Sequence, residues 1–379
     1  MKNAKISSAI VFAIHLLGFM GIGILCGKAF ADEENFGIFL LGSIGAALAA
    51  GIVMLIHILL HEAGHLTGGL LTGYQFGSFR IFGRMWQKDK DGKIKSYRFS
   101  VAGTAGQCIM SPPEMKDGKI PFFWYHIGGV LMNLIVSGLF AVLYVIFRGN
   151  PYVDFVSLSF VVLGLSMGLA NGIPLPGITN DGRNIVELFR SEKAVKAFYL
   201  QMQAVAMIQK GTRIKDFPDE WFEMPTDEEL KNTMICVMAV FLCDRLFDEG
   251  KYAEAQALID ELLQKETAIA PVHRELLKNN ALFCELTGSK NKSKIENYLD
   301  KDLQSFMKAM KNYPSVIRTK LAYELLCNDD KQAVQKQFAM LGDLIPTYPY
   351  YEEIRAEMDH VAAAFLIAAE QKKSEEMDV

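Results

Sequence analysis

The segment LLHEAGHL, residues 59–66, holds the side chains best placed to do chemistry. In a helix, residues four apart lie on one face, so His61 and His65 can direct ring nitrogens at one zinc ion, at about 2.0–2.1 Å. Glu62 lies beside them and can take a proton from a water that the metal activates. The alternative is a pair of buried histidines that only bond to other helices. We favour the metal site, because polar groups inside a membrane are costly and are kept chiefly for function.

A catalytic zinc usually has three protein ligands and one open position, so a third ligand is needed. The candidate is Asp181, in the segment NGIPLPGITNDGRN at 171–184. Pro174 and Pro176 cannot continue a helix, and Gly182 permits a tight backbone after Asp181. The alternative is an ordinary Asn-Asp-Gly turn.

Four apolar runs must position these residues, at about 6–27, 36–60, 121–147 and 155–175. Each approaches or exceeds the roughly 20 residues that a helix needs to cross a bilayer. The histidine motif follows the second run, and Asp181 follows the fourth. The segments would thus reach one depth if both runs end on the same side. After about Asn184 the chain becomes charged and amphipathic, which predicts a soluble region.

Basic residues predict the topology of these runs. The loop 74–120 carries nine basic and four acidic residues, whereas the loop 31–35 is acidic without a basic residue. The positive-inside rule then places loop 74–120 and both chain ends in the cytoplasm, with 31–35 and 148–154 outside. The site would face the cytoplasm.

The N-terminus allows two interpretations. Lys2, Lys5 and the apolar run before Ala29-Phe30-Ala31 are similar to a signal peptide with its cleavage site. We favour a retained first helix, because the run is long for a signal peptide and contains His15. Cleavage would leave the orientation of the second run unchanged.

Composition bears on the other classes of partner. The net charge of −4 gives no indication of nucleic-acid binding. The six cysteines include no C-x-x-C pair, so neither a disulfide framework nor a cysteine zinc site is indicated. We expect reduced, buried thiols.

Taken together, the motifs resemble the site-2 protease family of intramembrane zinc metalloproteases. That family has H-E-x-x-H on one span, G-x-x-x-N on an intervening span, and N-x-x-P followed by an aspartate-glycine pair on a later span. The matching segments here are His61–His65, Gly129–Asn133, Asn171–Pro174 and Asp181–Gly182. The resemblance covers about residues 36–187. The chain departs from the pattern in the longer spacing to Asp181, in Asn180 where leucine is usual, and in the valine after Gly129.

The resemblance implies an endopeptidase with one Zn²⁺ held by His61, His65 and Asp181, and with Glu62 as the catalytic base. It implies that Asn133 and Gly129 lie at the substrate, whose unwound backbone the Asn133 amide could bind. Substrates would be transmembrane segments of other proteins or signal-peptide remnants. The protein would be a multi-pass protein of a cell membrane, expected in a bacterium, with lipid around it and no nucleic-acid partner. No inserted PDZ-like domain is present.

The loop between the first two motifs resembles the family's membrane-associated β-hairpin. Phe79, Ile81, Tyr97 and Phe99 lie at alternating positions, and Asp91-Gly92 offers a turn between two strands. An exposed edge of this hairpin could pair with an extended substrate by β-addition.

The sequence of the C-terminal half predicts helices. The segment 248–255 resembles the turn and second helix of a tetratricopeptide repeat, with weaker echoes near Gly288 and Asp329. Unrelated helical hairpins are the alternative. Such helical stacks offer concave surfaces that a protein partner could bind.

The expected fold is therefore an α-helical membrane protein of about four transmembrane helices with a small β-hairpin, followed by an all-α cytoplasmic domain. The predicted domains are 1–187 and 188–379. The competing function is that of a membrane-anchored helical-repeat adaptor without proteolytic activity. His57 and His126 are intramembrane polar residues whose roles the sequence leaves open, as it leaves open the substrate and the oligomeric state.

Overall fold

The computed structural model describes residues 2–29, 35–88, 91–101, 104–176 and 179–377. Most of the predicted external loop 31–35 and two residues of the Ala29-Phe30-Ala31 signal lie outside them. The chain forms two compact units. The first comprises residues 1–81 and 105–195, and the second comprises 82–104 and 196–379.

The first unit contains the four helices predicted to span a membrane. Helix α1 covers Lys2–Ala29, α2 Phe36–Leu71, α3 Phe122–Phe147 and α4 Pro151–Gly172. In the described residues these four are long and apolar enough to cross a bilayer. Large apolar side chains such as Leu48, Ile52, Ile135 and Val145 stay exposed along them. A lipid environment accounts for that exposure, since water would disfavour so large an apolar surface.

Local sequence sets the ends of these helices. Asn35 caps α2 by accepting hydrogen bonds from the backbone N–H groups of Gly37 and Ile38, and Asn150 caps α4 in the same way. Gly73 has φ +87° just after α2, a left-handed conformation that glycine adopts without strain. Helix α4 ends before Pro174, as the sequence predicted.

Helices α2 and α3 meet backbone to backbone through glycines. A Cβ added at Gly64 would collide with the carbonyl of Gly128, and one added at Gly68 would collide with the carbonyl of Trp124. Neither carbonyl can move without moving its helix. Small residues at such a crossing let two membrane helices approach closely.

Four antiparallel strands form instead of the single predicted hairpin: β1 (Gln75–Ile81), β2 (Arg84–Lys88), β3 (Ile94–Arg98) and β4 (Gly106–Ser111). Strand β1 pairs with β4 in the first unit, with Phe79 opposite Cys108. Strand β2 pairs with β3 in the second unit, with Met85 opposite Tyr97. The turn predicted at Gly92 is present, with φ +77°. The prediction that Phe79 and Tyr97 belong to paired strands was wrong, because the chain already turns at Phe82, whose φ is +51°.

The chain after residue 180 is helical throughout its regular structure. Its helices are α5 (Asp181–Arg190), α6 (Glu192–Gln209), α7 (Cys236–Asp248), α8 (Tyr252–Gln264), α9 (Pro271–Thr287), α10 (Lys292–Tyr298), α11 (Lys301–Ala309), α12 (Pro314–Tyr323), α13 (Lys331–Leu344) and α14 (Tyr351–Met377). Three single 3₁₀ turns precede α7, and a π-helical turn, Glu324–Asn328, follows α12.

The tetratricopeptide-like prediction is not confirmed, although the first predicted turn between two helices is present. Gly250, with φ +77°, joins α7 to α8 as predicted. Beyond this pair the helices differ in length, from 17 residues in α9 to 7 in α10. A solenoid requires repeats that stack alike, and helices of such different lengths do not confirm one. The coarser prediction of an all-helical C-terminal region is confirmed.

An arginine lies in the centre of the second unit. The Arg318 side chain is fully buried, its Nε lies 2.9 Å from Glu357 Oε2, and one Nη donates to Asn280 Oδ1 at 2.7 Å. The guanidinium also lies 4.5 Å from the ring centroids of Phe247 and Phe283. The positive charge of Arg318 adds to burial in lowering the pKa of His360, which falls to about 2.

The strand pair β2–β3 packs within the second unit. The ring of Phe99, just after β3, lies 5.6 Å from that of Tyr348 and 5.7 Å from that of Tyr350. Gln87 in β2 donates a hydrogen bond to the Pro349 carbonyl at 3.4 Å. The predicted boundary at 187/188 thus omits the 82–104 segment, which groups with the C-terminal helices.

The α2–α3 crossing makes a testable prediction. Gly68→Ala places a methyl group against the Trp124 carbonyl, and we expect it to destabilise the protein by about 1–3 kcal/mol, as overpacking does. Gly51→Ala is the matched control, because no described atom outside the adjoining helix backbone lies within 4 Å of its added Cβ. Thermal unfolding in detergent measures both. A Gly68→Ala protein as stable as Gly51→Ala would contradict the close crossing.

Candidate metal centre

Helix α2 brings His61 and His65 to one buried point near its C-terminal end. Their Nε2 atoms lie 3.1 Å apart, and the two rings meet edge to face, 4.7 Å between centroids. This is the arrangement that the i, i+4 spacing predicted. The nitrogens that face each other are the pair a metal would need.

Asp181 joins the two histidines from helix α5, where it is the first residue. Its Oδ2 lies 3.1 Å from Nε2 of His61, and its Oδ1 lies 3.5 Å from Nε2 of His65. The three residues are buried, and their ligand atoms all lie within 4.8 Å of one another. The structure therefore brings together the three predicted ligands, although 116 residues separate His65 from Asp181.

Asn180 holds Asp181 in place. Its Nδ2 donates to the carbonyls of Ala170 at 2.9 Å and Ile173 at 2.7 Å, two acceptors at the end of α4 that have no intrahelical partner there. Its Oδ1 accepts from the Arg183 N–H at 2.9 Å and so caps α5. One side chain thus ends one helix and begins the next, which fixes the backbone that carries Asp181.

The donor set fits a tetrahedral zinc ion. Bonds of 2.0–2.1 Å at tetrahedral angles put ligand atoms about 3.3 Å apart. The two Nε2 atoms lie 3.1 Å apart, Oδ2 of Asp181 lies 3.1 Å from Nε2 of His61, and all three ligand atoms lie within 4.8 Å of one another. Oδ2 of Asp181 is buried and makes no well-aligned hydrogen bond despite its closeness to His61. Two imidazoles and a carboxylate are also the ligand set of several zinc hydrolases.

The other ring nitrogen of each histidine is held by the protein. Nδ1 of His65 donates to the Tyr125 carbonyl at 2.7 Å, which leaves its Nε2 unprotonated and able to bind a metal. Nδ1 of His61 lies 3.1 Å from Nδ2 of Asn133. Oδ1 of Asn133 lies 3.3 Å from Nδ1 of His57, whose Nε2 donates to the Phe160 carbonyl at 2.9 Å.

Glu62 lies against strand β4. It accepts a backbone hydrogen bond from Cys108, and the buried cation of Arg80 acts on it electrostatically. A Cβ at Gly106 would come within 2.5 Å of Oε1 of Glu62, so this glycine makes room for the carboxylate. Tyr125 ties the same strand to α3, because its hydroxyl donates to the Cys108 carbonyl at 2.7 Å.

Gly129 borders the metal ligands. An added Cβ would lie 2.6 Å from Nε2 of His65 and 2.8 Å from Nε2 of His61. The two imidazoles can converge only because this position has no side chain. The prediction that Gly129 and Asn133 contact substrate stays a prediction, and Asn133 is fully buried among the histidines.

Two side chains beside the metal centre, Asp181 and Cys108, lie outside the membrane-spanning helices and differ in charge state. Burial would raise the pKa of Asp181, but His65 and His61 outweigh it and hold that pKa below its ordinary value. Burial raises the pKa of the Cys108 thiol to about 12, so this neighbour stays protonated. The carboxylate, and not the thiol, is therefore the ligand that is ready to bind a metal.

Comparison of the chain with protein-family models, with curated proteins and with solved structures finds no match. The assignment of chemistry therefore depends on the geometry of the site itself.

Several residues at the site were not found from the sequence as parts of it: Asn180, Arg80, Gly106 and Tyr125. Asn180 was noted only as a departure from the family pattern, although a polar residue directly before an aspartate-glycine pair is a helix-cap signal. Arg80, Gly106 and Tyr125 lie on elements whose packing gives no local sequence signal.

Removal of the third ligand should empty the centre. In Asp181→Asn the neutral amide replaces the carboxylate. We expect zinc affinity to fall by more than about 10–100-fold, which is the loss typical when a residue that only hydrogen-bonds to a metal ligand is removed. Zinc content of detergent-purified protein, with chelator competition, measures this.

Asp154→Asn is the matched control, since Asp154 lies in the first turn of α4, at the end opposite to the site. It should keep its zinc. Equal zinc content in both variants would show that Asp181 is not a ligand.

Proposed function

We propose that this protein is an intramembrane zinc endopeptidase of the site-2 protease type. The observation that carries the proposal is the convergence of His61, His65 and Asp181 at the end of an apolar helix, with Glu62 beside them. A hydrolytic centre at this depth suits substrates that are themselves membrane-spanning helices.

Glu62 is the proton carrier in this proposal. Zinc, when bound, supplies Lewis-acid chemistry by polarising a peptide carbonyl and making water more acidic. The carboxylate of Glu62 takes the proton from the attacking water and later gives it to the amine that leaves. The Cys108 N–H and the Arg80 cation lie where they can orient the side chain of Glu62.

Strand β4 offers a place for the substrate. A helical substrate must unwind before its carbonyl can reach the site, because its backbone is closed by internal hydrogen bonds. Among the described strands, β4 pairs with β1 only. On its second edge the Cys108 N–H and carbonyl are used by Glu62 and Tyr125, so an extended peptide would pair with this edge by β-addition away from Cys108. Gly106 of this strand lies against Glu62, so a segment added there would come beside the base.

The proposed location is a multi-pass position in a bacterial cell membrane, with the site open to the cytoplasm. The basic loop 74–120 supports this orientation through the positive-inside rule. The C-terminal helices would recruit substrates or a protein partner. Every proposed catalytic residue precedes residue 183.

The competing function is that of a membrane-anchored adaptor without proteolytic activity. Its support is the large helical region together with the longer spacing between Asn171 and Asp181 than the family usually has. The adaptor would not need zinc, so a purified wild-type protein without bound zinc would favour it.

Glu62→Gln tests the proposed chemistry. The amide has nearly the same shape but cannot accept the proton, so cleavage should fall by about 10²–10⁴-fold, the usual contribution of a general base. Zinc content and thermal stability should stay close to wild type. The measurement is a comparison of membrane-protein fragments in cells that carry either form.

The matched control is Glu254→Gln, the same change at an exposed position of α8, and it should cleave like wild type. If the fragments were equally abundant with Glu62→Gln, Glu62 would not be the base. If they were absent with the wild type as well, the adaptor would be the better account.

A further inference from the structure

The Asn133 amide is fully buried in α3 and lies between two imidazoles. One end is 3.1 Å from Nδ1 of His61, and the other end is 3.3 Å from Nδ1 of His57. Because the Asn133 side chain has no exposed surface, these two rings decide which end of the amide donates a hydrogen bond and which end accepts one. An amide has a donor end and an acceptor end of almost the same shape, so its orientation follows from its partners.

His57 needs a donor from the amide. Its Nε2 lies 2.9 Å from the Phe160 carbonyl, which can only accept, so the ring proton is on Nε2. A neutral imidazole donates from one nitrogen and accepts at the other. Nδ1 of His57 is then an acceptor, and the NH₂ end of Asn133 satisfies it.

His61 needs an acceptor from the same amide. Its Nε2 faces His65 and Asp181 and must be unprotonated to bind a metal. The ring proton is then on Nδ1, which must donate. The carbonyl end of Asn133 accepts it, so one orientation of the amide satisfies both rings at once. A half-turn of the amide about χ2 gives that orientation with the same heavy-atom positions.

We propose that Asn133 is a positioning residue for the metal ligand His61, and that His57 anchors it. Asn133 sets the tautomer of His61 that leaves Nε2 free, and His57 with the Phe160 carbonyl sets the orientation of Asn133. This role rests on the proposed metal centre, and it replaces a direct contact between Asn133 and substrate. It also gives His57, which is not a ligand, a function.

The surroundings of His57 restrict its position. The Ser137 hydroxyl, one turn along α3, donates to the backbone carbonyl of Asn133 at 2.8 Å. A Cβ at Gly164 of α4 would collide with His57 and with Ser137, so the glycine provides the space in which the ring lies. The ring is thus held by three helices: its own α2, α3 through Asn133, and α4 through Phe160.

The test compares two substitutions of Asn133. Asn133→Leu keeps the branched shape and the number of heavy atoms but removes both hydrogen bonds, and zinc affinity should fall by about 10–100-fold. Asn133→Asp keeps an acceptor for His61, as in the carboxylate–histidine–zinc arrangement, and should stay within about tenfold of wild type. Chelator competition measures affinity, and the visible spectrum of the cobalt-substituted protein reports on ligand geometry. Ser159→Ala is the control, because Ser159 is buried in α4 and, within the described residues, its hydroxyl donates to the Phe155 backbone carbonyl of its own helix.

The outcomes separate the possible roles of Asn133. A loss with leucine that aspartate restores, with a changed cobalt spectrum for leucine only, supports the positioning role. Unchanged affinity in both variants would overturn it, and a raised KM with unchanged zinc binding would assign Asn133 to the substrate. Equal losses in both variants would also overturn it, because they would reflect packing only.

His57→Leu decides the matter if Asn133→Leu does not fold. It keeps the three ligands and the Asn133 amide, so lowered zinc affinity in this variant supports the anchor and unchanged affinity overturns it. The proposed function is tested separately. A wild-type protein that binds zinc and loses cleavage with Glu62→Gln keeps that function whatever Asn133 does.

Discussion

Helices α2 and α3 meet backbone to backbone at Gly64 and Gly128, and the geometry of the metal centre depends on that contact. The close crossing lets Nδ1 of His65 reach the Tyr125 carbonyl and brings the Asn133 amide to His61. A wider crossing would leave these ring nitrogens without partners in a region where lipid offers none. The absence of a side chain at Gly129 then gives both Nε2 atoms room to converge.

The third ligand, Asp181, comes from outside the α2–α3 pair, and its position depends on a second structural feature. Asp181 does not lie on a membrane-spanning helix. Asn180 bonds to the last carbonyls of α4 and caps α5, so the break after α4 becomes a fixed corner. Gly182 also allows α5 to approach the Gly172 carbonyl closely. The hydrogen bonds of the Asn180 side chain therefore fix the backbone that carries the Asp181 carboxylate.

The features that follow from simple periodic rules could be predicted from the sequence. His61 and His65 share a helix face because they are four apart, the four apolar runs are the four candidate spans, and Pro174 ends α4 where expected. Strand pairing was predicted poorly, because β1 pairs with a strand that begins 25 residues after its own end, and local alternation does not reveal such a partner. The repeat prediction is not confirmed beyond α8, since one helix-turn-helix pattern does not fix how later helices stack. The partners of His57 and Asn133 depend on the packing of three helices, which no local pattern encodes.

The central claim is that His61, His65 and Asp181 hold one zinc ion, and X-ray absorption spectroscopy of the zinc-loaded protein tests it most directly. We expect one zinc per chain, with imidazole nitrogens and carboxylate or water oxygens at about 2.0–2.2 Å and the multiple-scattering signature of two histidine rings. Sulfur at about 2.3 Å, or a shell of oxygens without imidazole, would place the metal elsewhere and contradict the account.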